Sequence, residues 1–172
     1  MAPRRDNRIV QGLLELAREF DVPMLIHTEA SDYRYFLPIC RDHPQVRFQW
    51  AHAGGHLGPV QVGALMERCP NVWVGLSARD PWRYGSFADE EGRLPPGWRE
   101  LLERYPERFL IGSDPVWPGF EIHHWDRADT GWERFEQFLG FQRAWLGRLP
   151  VSLARRIRLT NAYRFLGLAP PE

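Results

Sequence analysis

Four short apolar runs, each ending in a polar side chain, constrain this chain more than any other feature. They are Val22–His27, Val46–His52, Val72–Ser77 and Phe109–Asp114. Each is too short for a stable helix, and each is bounded by turn residues, as a buried strand should be. Helical periodicity fills the intervals, over Tyr33–Arg41, Val60–Arg68 and Trp98–Tyr105. His27 and His52 stand 25 residues apart, and Ser77 follows His52 by another 25. Asp114 comes 37 residues after Ser77, and the surplus falls in the polar, Gly- and Pro-rich loop Arg79–Gly97. Alternating strands and helices favour a parallel sheet with helical crossovers. Parallel strands all point one way, so their polar last residues meet at one rim. In a (β/α) barrel that rim carries the chemistry.

Outside these units, Asp6–Phe20 reads as a helix with Ile9, Leu13, Leu16 and Phe20 as its apolar stripe and Asp6 or Asn7 as its cap. The tail reads as three helices, Trp132–Trp145, Ser152–Leu159 and Ala162–Leu166. The expectation is one α/β domain over residues 1–172, of TIM-barrel type, with four β/α units and C-terminal helices. A complete barrel takes roughly 200 residues or more. Four strands leave two open sheet edges and one bare inner face. The chain is therefore expected to be a fragment lacking an N-terminal half-barrel, or a half that pairs with a second copy; the fragment is favoured.

Composition narrows the function. Lys plus Arg equals Asp plus Glu at 22 each, and no basic stripe runs along the chain, so a nucleic-acid partner is not expected. Arg155, Arg156 and Arg158 read as a solvated helix face. The apolar runs are too short to span a bilayer, and Met1–Arg8 is polar and basic with no apolar run after it, so a cytoplasmic protein is expected. Cys40 and Cys69 share no CxxC spacing, and two unpaired structural thiols are expected. No GxGxxG follows a strand, which argues against a nucleotide-binding fold; Gly54 and Gly55 read as a turn. Several of the eight tryptophans fall in loop-like segments, as in a walled pocket or an interface.

His27, His52 and Asp114 are the residues that suggest chemistry. Singly, each reads as easily as a structural residue. Together they bring two imidazoles and a carboxylate to neighbouring strand ends, and these are good donors for Zn²⁺ and related ions. An aspartate beside a metal-bound water can also take its proton. Glu29, Arg79 and Asp80 follow strand ends and are candidate substrate contacts. Trp82, Trp117 and Trp125 are candidate pocket walls, and His56, His123 and His124 are candidate rim groups or plain surface histidines. The Arg79–Gly97 loop is long enough to act as a lid.

The segments Pro23–Thr28, Trp50–Gly55 with His52 inside it, Asn71–Ser77, Arg108–Asp114 and Asn161–Leu168 resemble, in that order, the amidohydrolase superfamily in its amidohydrolase-related branch. They look like the fifth to eighth strands of that barrel and its closing helix. The resemblance implies that His27 and Asp114 bind a divalent metal, zinc being the expected ion. It further implies that His52 helps activate the bound water or the substrate, and that Asp114 shuttles a proton. It implies hydrolysis of a small amide, lactone or related carbonyl compound. Decarboxylation of an aromatic or muconate-like acid is the alternative within the same branch; a binding domain that kept the barrel and lost the chemistry is the alternative outside it. The family's His-x-His pair, two further ligands on its first strand, has no counterpart upstream of His27.

Overall fold

The computed structural model describes residues 7–28, 32–85, 87–115 and 132–171. Helix α1 (Arg8–Glu19) opens the chain, and Asn7 caps it by accepting from the N–H groups of Ile9 and Val10. Strand β1 (Met24–Ile26) leads through α2 (Leu37–Asp42) to β2 (Phe48–Trp50), and α3 (Pro59–Arg68) leads to β3 (Val72–Gly75). Helix α4 (Pro96–Arg104) precedes β4 (Phe109–Leu110). Then come α5 (Phe135–Leu146), α6 (Val151–Arg155), a π-helical turn at Arg156–Thr160, and α7 (Asn161–Leu166). The strands form one sheet in the order β1-β2-β3-β4, every neighbouring pair parallel. This is the expected half of a (β/α) barrel, with β1 and β4 as the edge strands among the described residues.

The register sorts the strand residues into two faces. Phe48, Trp50, Val72, Val74 and Phe109 are fully buried, and Phe36 at the start of α2 stacks on both Phe48 and Trp50. That face lies under the helices. Leu25, Gln49 and Trp73 are paired across the strands on the other face. Phe165 of α7 packs on Trp73, while Leu25 stands 64% exposed. The helix-facing side holds most of the core, and the inner face is covered at its β3 end and open at its β1 end.

The ends of the strands opposite the rim are tied by side chains that collect backbone carbonyls. Asn71 Nδ2 donates to the carbonyls of Cys40, His43 and Val46, each at 3.0 Å. The Arg108 guanidinium donates to the carbonyls of Met66, Cys69 and Val72. Asn161 donates to those of Pro106 and Phe109. Such bonds supply partners for helix-end carbonyls that no helical N–H reaches, and burial lowers the Arg108 pKa to about 10.

The α1 stripe expected at Ile9, Leu13, Leu16 and Phe20 lies on the exposed side of the helix, and Leu14 and Ala17 are its buried residues. Helical spacing marks a stripe without saying which of two stripes turns inward. The cysteines are not free thiols, since Cys40 and Cys69 form a disulfide with their Cα atoms 5.9 Å apart. Each sits at the end of a neighbouring crossover helix, so the β/α repeat brings them together despite a separation of 29 residues. The Arg79–Gly97 loop is anchored in the body over its second half, while Tyr84 in its first half stays beside His52. Phe87 is fully buried with its ring edge-on to Trp98 and Trp145. At Gly92 (φ +76°) an added Cβ would fall 2.4 Å from the backbone of Ala144 and Trp145.

The tryptophans follow the same pattern. Trp50, Trp98 and Trp145 are core residues. Trp82 packs on Phe138 and Phe141 of α5, which is loop-to-helix packing in place of a pocket wall. No helix among the described residues is long and apolar enough to cross a membrane.

Candidate functional site

His27 directly follows β1, at its C-terminal end. The next residue, Thr28, is buried, and its Oγ1 accepts from Trp50 Nε1 at 2.8 Å. The Trp50 ring lies in the core, so this bond fixes the backbone that carries His27. His52 sits in the tight turn Ala51–Gly54 that ends β2. His52 and Ala53 both adopt left-handed backbone geometry, with φ of 57° and 49°. Gly54 continues it at φ +70°, and a Cβ there would meet the Trp50 ring at 2.4 Å. Asp114, beyond β4, is left-handed as well, at φ 50°. Non-glycine residues in this region store strain, and His52, Ala53, Ala78 and Asp114 carry it in the segments that follow β2, β3 and β4.

The three side chains converge. The rings of His27 and His52 meet edge-on with centroids 5.0 Å apart. His52 Nε2 lies 3.8 Å from Asp114 Oδ2. The other ring nitrogen, Nδ1, lies 3.0 Å from the Ser77 carbonyl oxygen and 3.0 Å from the Ser77 hydroxyl. A bond to the carbonyl oxygen takes the proton on Nδ1 and leaves Nε2 a lone pair toward Asp114, whereas a bond from the Ser77 hydroxyl leaves Nδ1 the acceptor and Nε2 the donor to the carboxylate.

Burial holds His52 below its ordinary pKa of 6.5; the Ser77 and Asp114 contacts oppose this without reversing it, and His27 and Arg83 add to it. Burial raises the Asp80 carboxyl, whose Oδ1 accepts from the Trp82 N–H. The Tyr84 ring lies 5.4 Å from the His52 ring and 5.0 Å from that of His56, with the Arg83 guanidinium 5.5 Å from its centre.

Arg79 does not stand where the sequence reading put it. Its side chain is 0% exposed. It donates to the Leu57 carbonyl at 3.2 Å and stacks 4.9 Å above Trp98; burial lowers its pKa to about 10. A loop residue after a strand can turn inward as readily as outward, and here the α4 tryptophan offers the guanidinium an aromatic face. The site's other expected residues Glu29 and Trp117, with Trp125, His123 and His124, lie outside the described residues. His56 is at the surface beside Tyr84. Sequence reasoning gave no role to Thr28, Trp50, Ser77 or Tyr84. Ser77 was within reach of it, because it closes the third strand at the same 25-residue spacing as the histidines.

A donor set of imidazole and carboxylate suits zinc, and His27 and Asp114 are the pair that would hold such an ion. Among the described residues no group of three His, Cys, Asp or Glu side chains is close enough to hold one. The donors fit in kind and fall short in number.

The family model described as Amidohydrolase matches residues 2–168. The chain belongs to that amidohydrolase family. Solved structures agree on the fold. An apo crystal structure of an Agrobacterium tumefaciens protein superposes with a TM-score of 0.59 at 20% identity, covering 94% of this amidohydrolase chain and 56% of that one. A Bordetella bronchiseptica TIM-barrel protein gives 0.56 at 19% identity, covering 94% and 51%. A Burkholderia multivorans amidohydrolase with bound zinc gives 0.53 at 17% identity, covering 95% and 62%. The chain therefore spans little more than half the length of the solved barrels it matches. No curated protein matches it.

Proposed function

We propose that this chain carries the His52–Asp114 side of the active site of a metal-dependent hydrolase acting on a small amide, lactone or related carbonyl substrate. The observation that carries the proposal is the convergence of His52 Nε2 and Asp114 Oδ2, 3.8 Å apart, beside the His27 ring. A bound divalent ion, zinc by the donor chemistry, would polarise a carbonyl and lower the pKa of a water molecule. His27 and Asp114 would hold it, with further ligands from outside the described residues.

The chain's own residues then divide the work. The Asp114 carboxylate accepts the proton of the attacking water and returns it to the leaving group. His52, held below its ordinary pKa by burial and contacting Ser77 through Nδ1, turns Nε2 toward Asp114, where its lone pair would accept a hydrogen bond from the attacking water and orient it. The Trp50–Thr28 bond keeps His27 from drifting. Tyr84, stacked on His52, limits its rotation.

In the protein with its metal site complete, Asp114→Asn is the direct test of the proton-shuttle role. Asparagine tolerates left-handed backbone geometry, so this change removes the carboxylate and spares the turn. Turnover is expected to fall by about 10²–10⁴-fold, the usual contribution of a positioned acid or base. Turnover equal to the parent's would remove Asp114 from the mechanism.

Decarboxylation of an aromatic or muconate-like acid is a second reading, favoured by the aromatic Tyr84 against His52. Carbon dioxide among the products would select it over hydrolysis. A cytoplasmic site of action remains part of the proposal. A Cys40–Cys69 disulfide found intact in alkylation-trapped cell extracts would count against it.

A further inference from the structure

We infer that the corner between α5 and α6 is a binding pocket for a small amphipathic carboxylate, an apolar chain or ring carrying an acid group, held by Arg143, Arg155 and Arg158 against an aliphatic floor. The inference uses none of the rim residues and does not rest on the proposed chemistry.

Charge marks the region first. Residues 137–171 hold six arginines and no aspartate or glutamate, in a chain whose basic and acidic residues balance at 22 each. The structure divides the six. Arg156 and Arg164 share the Glu107 carboxylate at 2.8 and 2.6 Å. Arg148 donates to the Glu91 carbonyl at 2.9 Å. The other three line one pocket. Arg155 donates to the Pro171 carbonyl at 3.0 Å, a neutral acceptor that leaves its charge uncompensated. Among the described residues, no carboxylate lies within ion-pair distance of Arg143, Arg155 or Arg158.

The shape and the remaining lining decide the ligand. The pocket encloses about 330 Å³, toward the lower end of the roughly 300–1,000 Å³ typical of small-molecule sites. A space of this size takes one small molecule, not a helix or a strand. Leu146 and Leu149, both nearly buried, line it, and Val151, 86% exposed, stands at its edge. Helix ends account for two of the charges one at a time. Arg143 and Arg155 lie in the last turns of α5 and α6, where a cation offsets the helix dipole. That does not account for three guanidinium groups around one aliphatic surface. A guanidinium keeps its charge across the physiological range and bonds a carboxylate as a planar fork. Three of them fix the sign of the ligand, and the leucines and Val151 call for an apolar body. A bare inorganic anion would leave the aliphatic surface wet, and an uncharged hydrocarbon would leave the charges unanswered.

The probe is octanoate, titrated into the protein labelled at its leucine and valine methyl groups and followed by NMR. Saturable shifts are expected at Leu146, Leu149 and Val151. Arg143→Gln and Arg158→Gln alter exposed side chains, so circular dichroism should be retained. Each should weaken octanoate binding at least about threefold, and the two together about tenfold. Added salt should weaken it as well. Arg18→Gln removes an exposed arginine from the last turn of α1 and should leave binding unchanged. 1-Octanol and inorganic phosphate should each bind at least about tenfold more weakly than octanoate, since each lacks one half of the recognition. Equal binding of 1-octanol or of phosphate would overturn the inference. So would tighter binding of octyl phosphate, the absence of saturable shifts at the three residues, or an effect of Arg18→Gln equal to that of Arg143→Gln. Turnover and metal content enter none of these readouts, so failure here is distinct from failure of the catalytic reading.

Discussion

His52 Nδ1 lies 3.0 Å from both the carbonyl oxygen and the hydroxyl of Ser77, and the proposed mechanism takes the carbonyl as its partner. With the proton on Nδ1, the neutral ring keeps Nε2 as an acceptor on the Asp114 side. Nitrogen-15 NMR of the chain at pH 7.5 should therefore show His52 as the Nδ1–H tautomer. Ser77→Ala removes the hydroxyl and leaves the carbonyl, so the same tautomer is expected in that variant. An Nε2–H signal in both proteins would assign the proton to the wrong side and leave Asp114 facing a donor.

The same histidine sets a pH dependence. Its folded pKa lies below the ordinary 6.5, chiefly through burial. The unfolded chain then binds a proton that the folded chain resists. Its contribution to stability is fully present above pH 6.5 and is lost as pH falls from there through the folded value. Urea melts between pH 8 and pH 5 should show stability falling on the acid side. His52→Gln should flatten that slope relative to the parent, and an unchanged slope would assign it to other groups.

Gly54 tests the turn that presents His52. A side chain there is disfavoured by the left-handed backbone, which costs about 1–2 kcal/mol, and by overlap with Trp50 and Leu57, for which overpacking typically costs about 1–3 kcal/mol. Gly54→Ala is expected to destabilise by roughly 2–5 kcal/mol, read from denaturant midpoints. Gly12→Ala, with nothing near its Cβ on α1, is expected to be neutral or stabilising by up to about 1 kcal/mol.

The Cys40–Cys69 bond closes a loop over a separation of 29 residues. Chain-entropy arguments give such a cross-link roughly 3–4 kcal/mol. Dithiothreitol should lower the urea midpoint of the parent correspondingly and leave the Cys40→Ser, Cys69→Ser double variant unmoved. Two titratable thiols in the untreated, denatured protein would contradict the pairing.

The strand ends at His27, His52, Ser77 and Asp114 were legible because repeat spacing and parallel-sheet geometry together fix where a strand's last residue lies. Orientation about each backbone was not. Arg79 turned into the core because Trp98 waits there, 19 residues further along the chain, and periodicity carries no such information. The stripe of α1 was visible as a stripe, but not the direction it faces, because a helix with apolar residues on two sides satisfies the same spacing rule twice. The cysteine pair was missed for a related reason: a spacing of 29 residues means nothing until two crossover helices are laid side by side.

The central claim is that His27 and Asp114 face a common cation at the barrel mouth. Cobalt(II) substitution followed by absorption spectroscopy tests it most directly, on the protein with its metal site complete. The parent should bind one Co²⁺ with visible ligand-field bands. His27→Ala and Asp114→Asn should each weaken binding at least about tenfold and alter the bands, as loss of a directly coordinating group requires. Parent-like affinity and spectra in both variants would mean that neither side chain touches the ion.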